Sequence, residues 1–141
     1  MTRMSFGPVM IAVCVGVCGV APPLSAHHSA TMYDSGKTIT LRGTVAEVRW
    51  TNPHVVVTVT TEAKPGEEPA RWTIETTSPG NLTRSGWTRT SLKQNDRVEM
   101  TVAPLRDGNH GGLLRQVKLV DTGQILDASN AIRAGETPNL K

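Results

Sequence analysis

Apolar and polar residues alternate along residues 37–50, with Ile39, Leu41, Gly43 and Val45 on one face and Thr38, Thr40, Arg42 and Thr44 on the other. A period of two predicts a long strand with one buried face. The phase slips near Ala46, after which Val48 and Trp50 continue the apolar series, so a bulge is expected there. Gly43 marks a second expected bend or bulge. Thr51-Asn52-Pro53-His54 ends the run, because Pro53 has no amide hydrogen to give to a ladder and restricts Asn52 as well. Residues 55–61 are β-branched throughout, which predicts a second strand with Val55, Val57 and Val59 on one face. After a polar loop over residues 62–70, alternation resumes at residues 71–76 through Trp72 and Ile74.

Ser78-Pro79 has the chemistry of a helix start, Ser as N-cap and Pro at the first helical position, and Gly86 ends a helix of about two turns around Leu82. A turn at residues 92–96 leads into a fourth strand, residues 97–103, in which Val98, Met100 and Val102 alternate with polar side chains. A Gly-rich connection over residues 104–112, containing Asp107-Gly108 and His110, precedes a fifth strand at residues 113–120. Residues 127–141 lack periodicity and read as a flexible tail. Five strands with a helix between the third and fourth predict an all-β, OB-like Greek-key barrel over residues 27–126. A β-sandwich with a helical loop is the alternative; the long, bent first strand favours the barrel.

Residues 1–26 carry the parts of a secretory signal: Arg3 at the start, an apolar run over residues 9–21, and Leu24-Ser25-Ala26 before a cut at His27. The run falls short of the roughly 20 apolar residues of a membrane span. A lipoprotein signal ending at Cys18 competes with this reading, although Val17 is bulkier than the residue usual before a lipidated cysteine. Removing 26 of the 141 residues leaves 115, without cysteine or phenylalanine, so the exported chain is expected to be one domain held by its core and not by disulfides. A periplasmic or secreted location follows. The formal charge of +3 is spread among both signs, with none of the clustered basic residues that nucleic-acid binding requires.

Four histidines, His27, His28, His54 and His110, are the side chains best suited to a transition metal. In the barrel reading His54 and His110 occupy the two loops that flank the ligand face, where they are expected to converge, fixed by groups such as Asn52 or Asp107. Two imidazoles suit Cu(II), Zn(II) or Ni(II). A mature N-terminal His27 would add its α-amine, whose ordinary pKa is about 8, and its own imidazole as a chelate. Such a terminus resembles the histidine-brace copper proteins, with His54 opposite and His28 or His110 as a further donor. A second reading keeps the fold without metal and has Trp50, Asn52 and His54 bind an organic ligand or a protein. Trp50, Trp72 and Trp87 serve by default as core fillers. No nucleophile elbow, phosphate loop or Cys/His zinc cluster points to catalysis or structural zinc.

Several motifs run the length of the chain: Ala26-His27-His28-Ser29, Tyr33-Asp34, Gly43-Thr44-Val45, Trp50-Thr51-Asn52-Pro53-His54, Glu75, Ser78-Pro79, Arg84-Ser85-Gly86-Trp87 and Asp96-Arg97-Val98. In these, residues 26–126 resemble DUF6152, a family of small exported bacterial proteins of unknown function. The resemblance implies export and a shared fold, and supplies no activity. Asn95 stands where the family's Leu-Lys-x-Gly-Asp turn has glycine.

Overall fold

The computed structural model describes residues 30–130 apart from 64, 65 and 67. The expected signal, Cys18, the Ala26–His27 junction, His27, His28 and residues 131–141 lie outside the described residues. Six strands form, β1 (Ile39–Arg49), β2 (Val56–Thr61), β3 (Arg71–Glu75), β4 (Arg97–Pro104), β5 (Gly111–Leu119) and β6 (Ile125–Asp127), with helix α1 (Pro79–Arg84) between β3 and β4. The sheet runs β3-β2-β1-β4-β5-β6, and a parallel pairing of β3 with β5 closes the first five strands into a barrel. The expected five-stranded, OB-like barrel with one short helix is therefore the fold.

Strand β1 serves both sides of the closure. Its first half, Ile39 to Thr44, pairs with β4, and its second half, Gly43 to Arg49, pairs with β2. The register shifts between Val45 and Glu47, placing the bulge at Ala46 as the phase slip predicts. No register shift falls at Gly43, and its place in the pattern did not show why it is glycine. It pairs with Val98 within the β4 ladder and with Thr61 at the end of the β2 ladder, and it is glycine because a Cβ there would overlap the Thr60 carbonyl. Close backbone approach is the reason for the missing side chain.

Inward-facing residues of all five barrel strands meet in one core: Val45, Val57, Val59, Ile74, Met100, Val102, Leu114 and Val117 are each fully buried. Helix α1 adds Leu82, and burying it stabilises the fold by about 2 kcal/mol. The helix starts where Ser78 predicts, its side chain accepting the Asn81 amide at 3.3 Å. Asn95, at φ 71°, occupies a left-handed position that asparagine tolerates better than other residues with a Cβ, which is why it can stand in for glycine.

The hydrophobic pattern missed β6, because three residues are too few to show a period. Ile125–Asp127 pairs with β5, the buried Trp87 donates its indole N–H to the Asp127 carbonyl at 2.8 Å, and Ala128 is fully buried. Residues 127–129 are thus tied to the barrel, the Ala128 amide and the Ser129 hydroxyl both donating to the Arg115 carbonyl.

Candidate functional site

Glu75 ends β3 at the closure seam, its backbone paired with Val56 on one side and with Leu113 on the other. Because Ile74 faces the core, the two-residue period turns Glu75 to the outer face. Two side chains from distant parts of the chain converge on its carboxylate. Tyr33, from the segment before β1, donates its phenol to Oε2 at 2.6 Å, and His54, from the β1–β2 loop, hydrogen-bonds Oε1 through Nδ1. A carboxylate only accepts, so Nδ1 carries the shared hydrogen and Nε2 is left as the ring's remaining coordination position. This carboxylate–imidazole pair is the arrangement that orients metal-ligating histidines.

Tyr33 arrives at Glu75 because its segment is stitched to the β4–β5 connection. The Asp34 amide donates to the Pro104 carbonyl at 2.8 Å, and Arg106 reaches Met32 through its amide at 3.0 Å and Thr31 through Nε at 2.9 Å. Burial, then the hydrogen bond to Glu75 and that residue's charge, push the Tyr33 phenol well above the usual tyrosine range. The sign of the pH effect follows. An unfolded tyrosine ionises near pH 10 while folded Tyr33 keeps its proton, so the stability it contributes is fully present below about pH 10 and lost as pH rises toward the folded value. Tyr33→Phe is expected to lose about 2 kcal/mol at neutral pH and to show a shallower fall in stability in alkali, measured by denaturant unfolding. As the chain has one tyrosine, the phenolate absorbance band reports on this group alone.

Beside Glu75 lies a depression of about 290 Å³ lined by Arg49, Thr51, Asn52, Pro53, His54, Val56 and Glu75. Of the expected ligand-binding trio, Asn52 and His54 reach it, whereas Trp50 is half-buried and packs against the core. Asn52 is exposed, and its carbonyl accepts the Thr51 hydroxyl at 2.9 Å. His54 is held by Glu75 in place of the expected Asn52.

His110 goes elsewhere. Its ring stacks on Trp72 with centroids 5.1 Å apart and planes 23° from parallel, and its carbonyl accepts the Thr73 amide at 3.1 Å. Trp72 and Glu75, three residues apart, lie on opposite faces of β3 and about 10 Å apart along it. The two loop imidazoles are thus anchored at separate places, and the expected convergence of His54 with His110 is not what the barrel produces. Asp107 is also engaged locally, accepting the amide of Asn109 at 2.9 Å and its side-chain Nδ2 at 2.8 Å. Among the described residues, no group of three or more His, Cys, Asp or Glu side chains is arranged to hold a metal. The Trp72–His110 stack instead borders a larger groove of about 750 Å³, shared with Leu41, Arg42, Thr61 and Glu68.

The model of DUF6152, a family of unknown function, matches residues 14–116. The chain belongs to DUF6152. Neither a curated protein nor a solved structure matches it. All three members of the Tyr33–Glu75–His54 cluster fall inside the DUF6152 segment, as does the Trp72–His110 pair, whereas β6 lies beyond it. Pattern reading alone passed over Tyr33 and Glu75 as site residues. A signal was present in each: the sole tyrosine in a polar lead-in, and a carboxylate closing a short alternating strand.

Proposed function

We propose that this DUF6152 protein is an exported, periplasmic β-barrel that binds a divalent transition metal of the copper type, with Nε2 of His54 as a ligand. The Glu75–His54 hydrogen bond carries the reading, because a carboxylate on Nδ1 fixes the tautomer and the ring orientation and leaves Nε2 as the free nitrogen. Further donors come from the N-terminal side. His27 and His28 precede Tyr33 by six and five residues, a length that spans at most about 20 Å, and Tyr33 is tied to the same carboxylate as His54. The role is capture of the ion, not turnover.

The test is titration of the processed protein with Cu(II), its N-terminus established by intact mass and the copper followed by EPR. One Cu(II) per chain with imidazole nitrogen couplings is expected. Glu75→Gln should weaken binding by about 10- to 100-fold and His54→Ala by more. Absence of specific binding, or binding indifferent to His54→Ala, refutes the proposal.

The larger groove favours a second reading, in which an organic ligand or a protein is bound without metal. Its Trp72–His110 stack and flanking Leu41 offer an aromatic and aliphatic surface. That reading requires binding lost on Trp72→Ala and retained in His54→Ala.

A further inference from the structure

The inward-facing rows of β1 and β3 each reach a side chain that the core does not fully cover. Leu41 is in phase with the buried Gly43 and Val45, and Trp72 with the fully buried Ile74, yet Leu41 and Trp72 are only half-buried. The groove of about 750 Å³ opens at this end of the barrel, with Leu41 and the Trp72–His110 stack as its floor. That volume and that floor suit a small organic molecule.

The charges around the groove are unequally committed. Arg42, the one Arg or Lys among its described lining residues, donates through Nε to Glu99 at 2.7 Å. Glu62 and Glu68 stand one and two residues beyond the clasp in which Thr61 and Ala70 exchange hydrogen bonds of 2.8 Å and 3.1 Å, so each arm of the β2–β3 loop brings an exposed carboxylate to the groove. Neither carboxylate has a side-chain partner among the described residues, and Arg97, which feels the charge of Glu62, is held by Asp121 at 3.0 Å. Lys64 and Glu67 of the same loop, outside the described residues, carry formal charges that cancel. The lining thus presents two negative charges in excess above an aromatic and aliphatic floor.

We infer that this groove takes a small organic ammonium ion, its hydrocarbon body on Leu41 and Trp72 and its N–H groups directed to Glu62 and Glu68. The inference rests on the reading in which the groove binds without metal. Charge decides the class. An anionic ligand would meet two uncommitted carboxylates and a neutral one would gain little from them, whereas an ammonium gives them charge-assisted hydrogen bonds while its alkyl or aryl part leaves water.

Calorimetric titration of phenethylamine, phenethyl alcohol and phenylacetate into the processed protein tests it, because the three share a phenyl body and differ in charge. The amine is expected to bind about tenfold more tightly than the alcohol, and the acid more weakly than either. Both glutamates are exposed, so the double variant Glu62→Gln/Glu68→Gln leaves the core intact; it should bring the amine to the level of the alcohol and leave the alcohol unchanged. High salt should narrow the same gap. An amine that fails to bind, that binds no more tightly than the alcohol, or that keeps its advantage in the double variant overturns the ammonium assignment. The groove reading survives that result where the alcohol's affinity still falls in Trp72→Ala or in His110→Ala. Binding of the amine and the alcohol that is untouched by both of these variants overturns the groove reading as well.

Discussion

Gly43→Val is expected to cost about 4 kcal/mol, and Gly43→Ala about 3, a large part of the 5–15 kcal/mol by which a domain of this kind is stable. Gly43 lies where β1 is paired on both sides, with Thr61 of β2 and Val98 of β4. An added Cβ overlaps the Thr60 carbonyl oxygen and comes within 2.9 Å of the Thr60 carbonyl carbon and of the Thr61 Cα. These are backbone atoms, so no rotamer change relieves the overlap, and the strands must part at the point where the barrel turns. Denaturant unfolding measures the loss, with Gly80→Ala as the control. Gly80 is on α1, a Cβ there meets nothing closer than the Arg84 guanidinium at 3.8 Å, and alanine is the better helix former. Gly80→Ala is expected to be neutral or to gain up to about 1 kcal/mol. A Gly43→Ala protein within about 0.5 kcal/mol of the parent would show that β1 and β2 can separate without cost.

Glu75→Ala is expected to lose about 3 kcal/mol, because the buried Tyr33 hydroxyl loses its acceptor and two hydrogen bonds to a charged group disappear together. Glu75→Gln should recover part of this. A carboxamide has one oxygen to accept and an NH₂ that donates, so it satisfies either the phenol or the Nδ1 hydrogen of His54, not both. The Tyr33 phenol responds in a graded way. Burial is the largest cause of its upward shift and survives the substitution, so the phenolate band is expected to move only part of the way back toward the ordinary range. A band that returns all the way would mean that removing Glu75 opens the Tyr33 site to water. One that does not move would mean that the carboxylate contributes nothing to the phenol's environment. Under the metal reading, affinity for the ion should fall in the same variants through the lost orientation of His54.

Local chemistry made several elements legible in advance. The alternation of β1, the β-branched run of β2, the Ser78-Pro79 helix start and the phase slip at Ala46 all depend on residues within a few positions of each other, and the structure has each of them. Gly43 was visible as an exception to the pattern, but its reason was not. The atom that excludes a side chain belongs to Thr60, on the neighbouring strand. The strand β6 was hidden for a related cause, since its place is decided by β5 and by the Trp87 indole and not by any period of its own.

The candidate site divides along the same line. His54 could be picked out as an imidazole following a strand-breaking Asn-Pro, but its partner is 21 positions away and the third member of the cluster is 42 from Glu75. His110 had equal standing with His54 as a residue type, yet the barrel sends it to Trp72 on the other face of β3. Composition, the five barrel strands with the helix among them and the list of available metal-ligating side chains were determined by the sequence alone, because they follow from residue identity and short-range periodicity. Only the closing of β3 on β5 decided which of those side chains meet. Contacts between residues tens of positions apart are set by register around a barrel, and register is a property of the whole sheet.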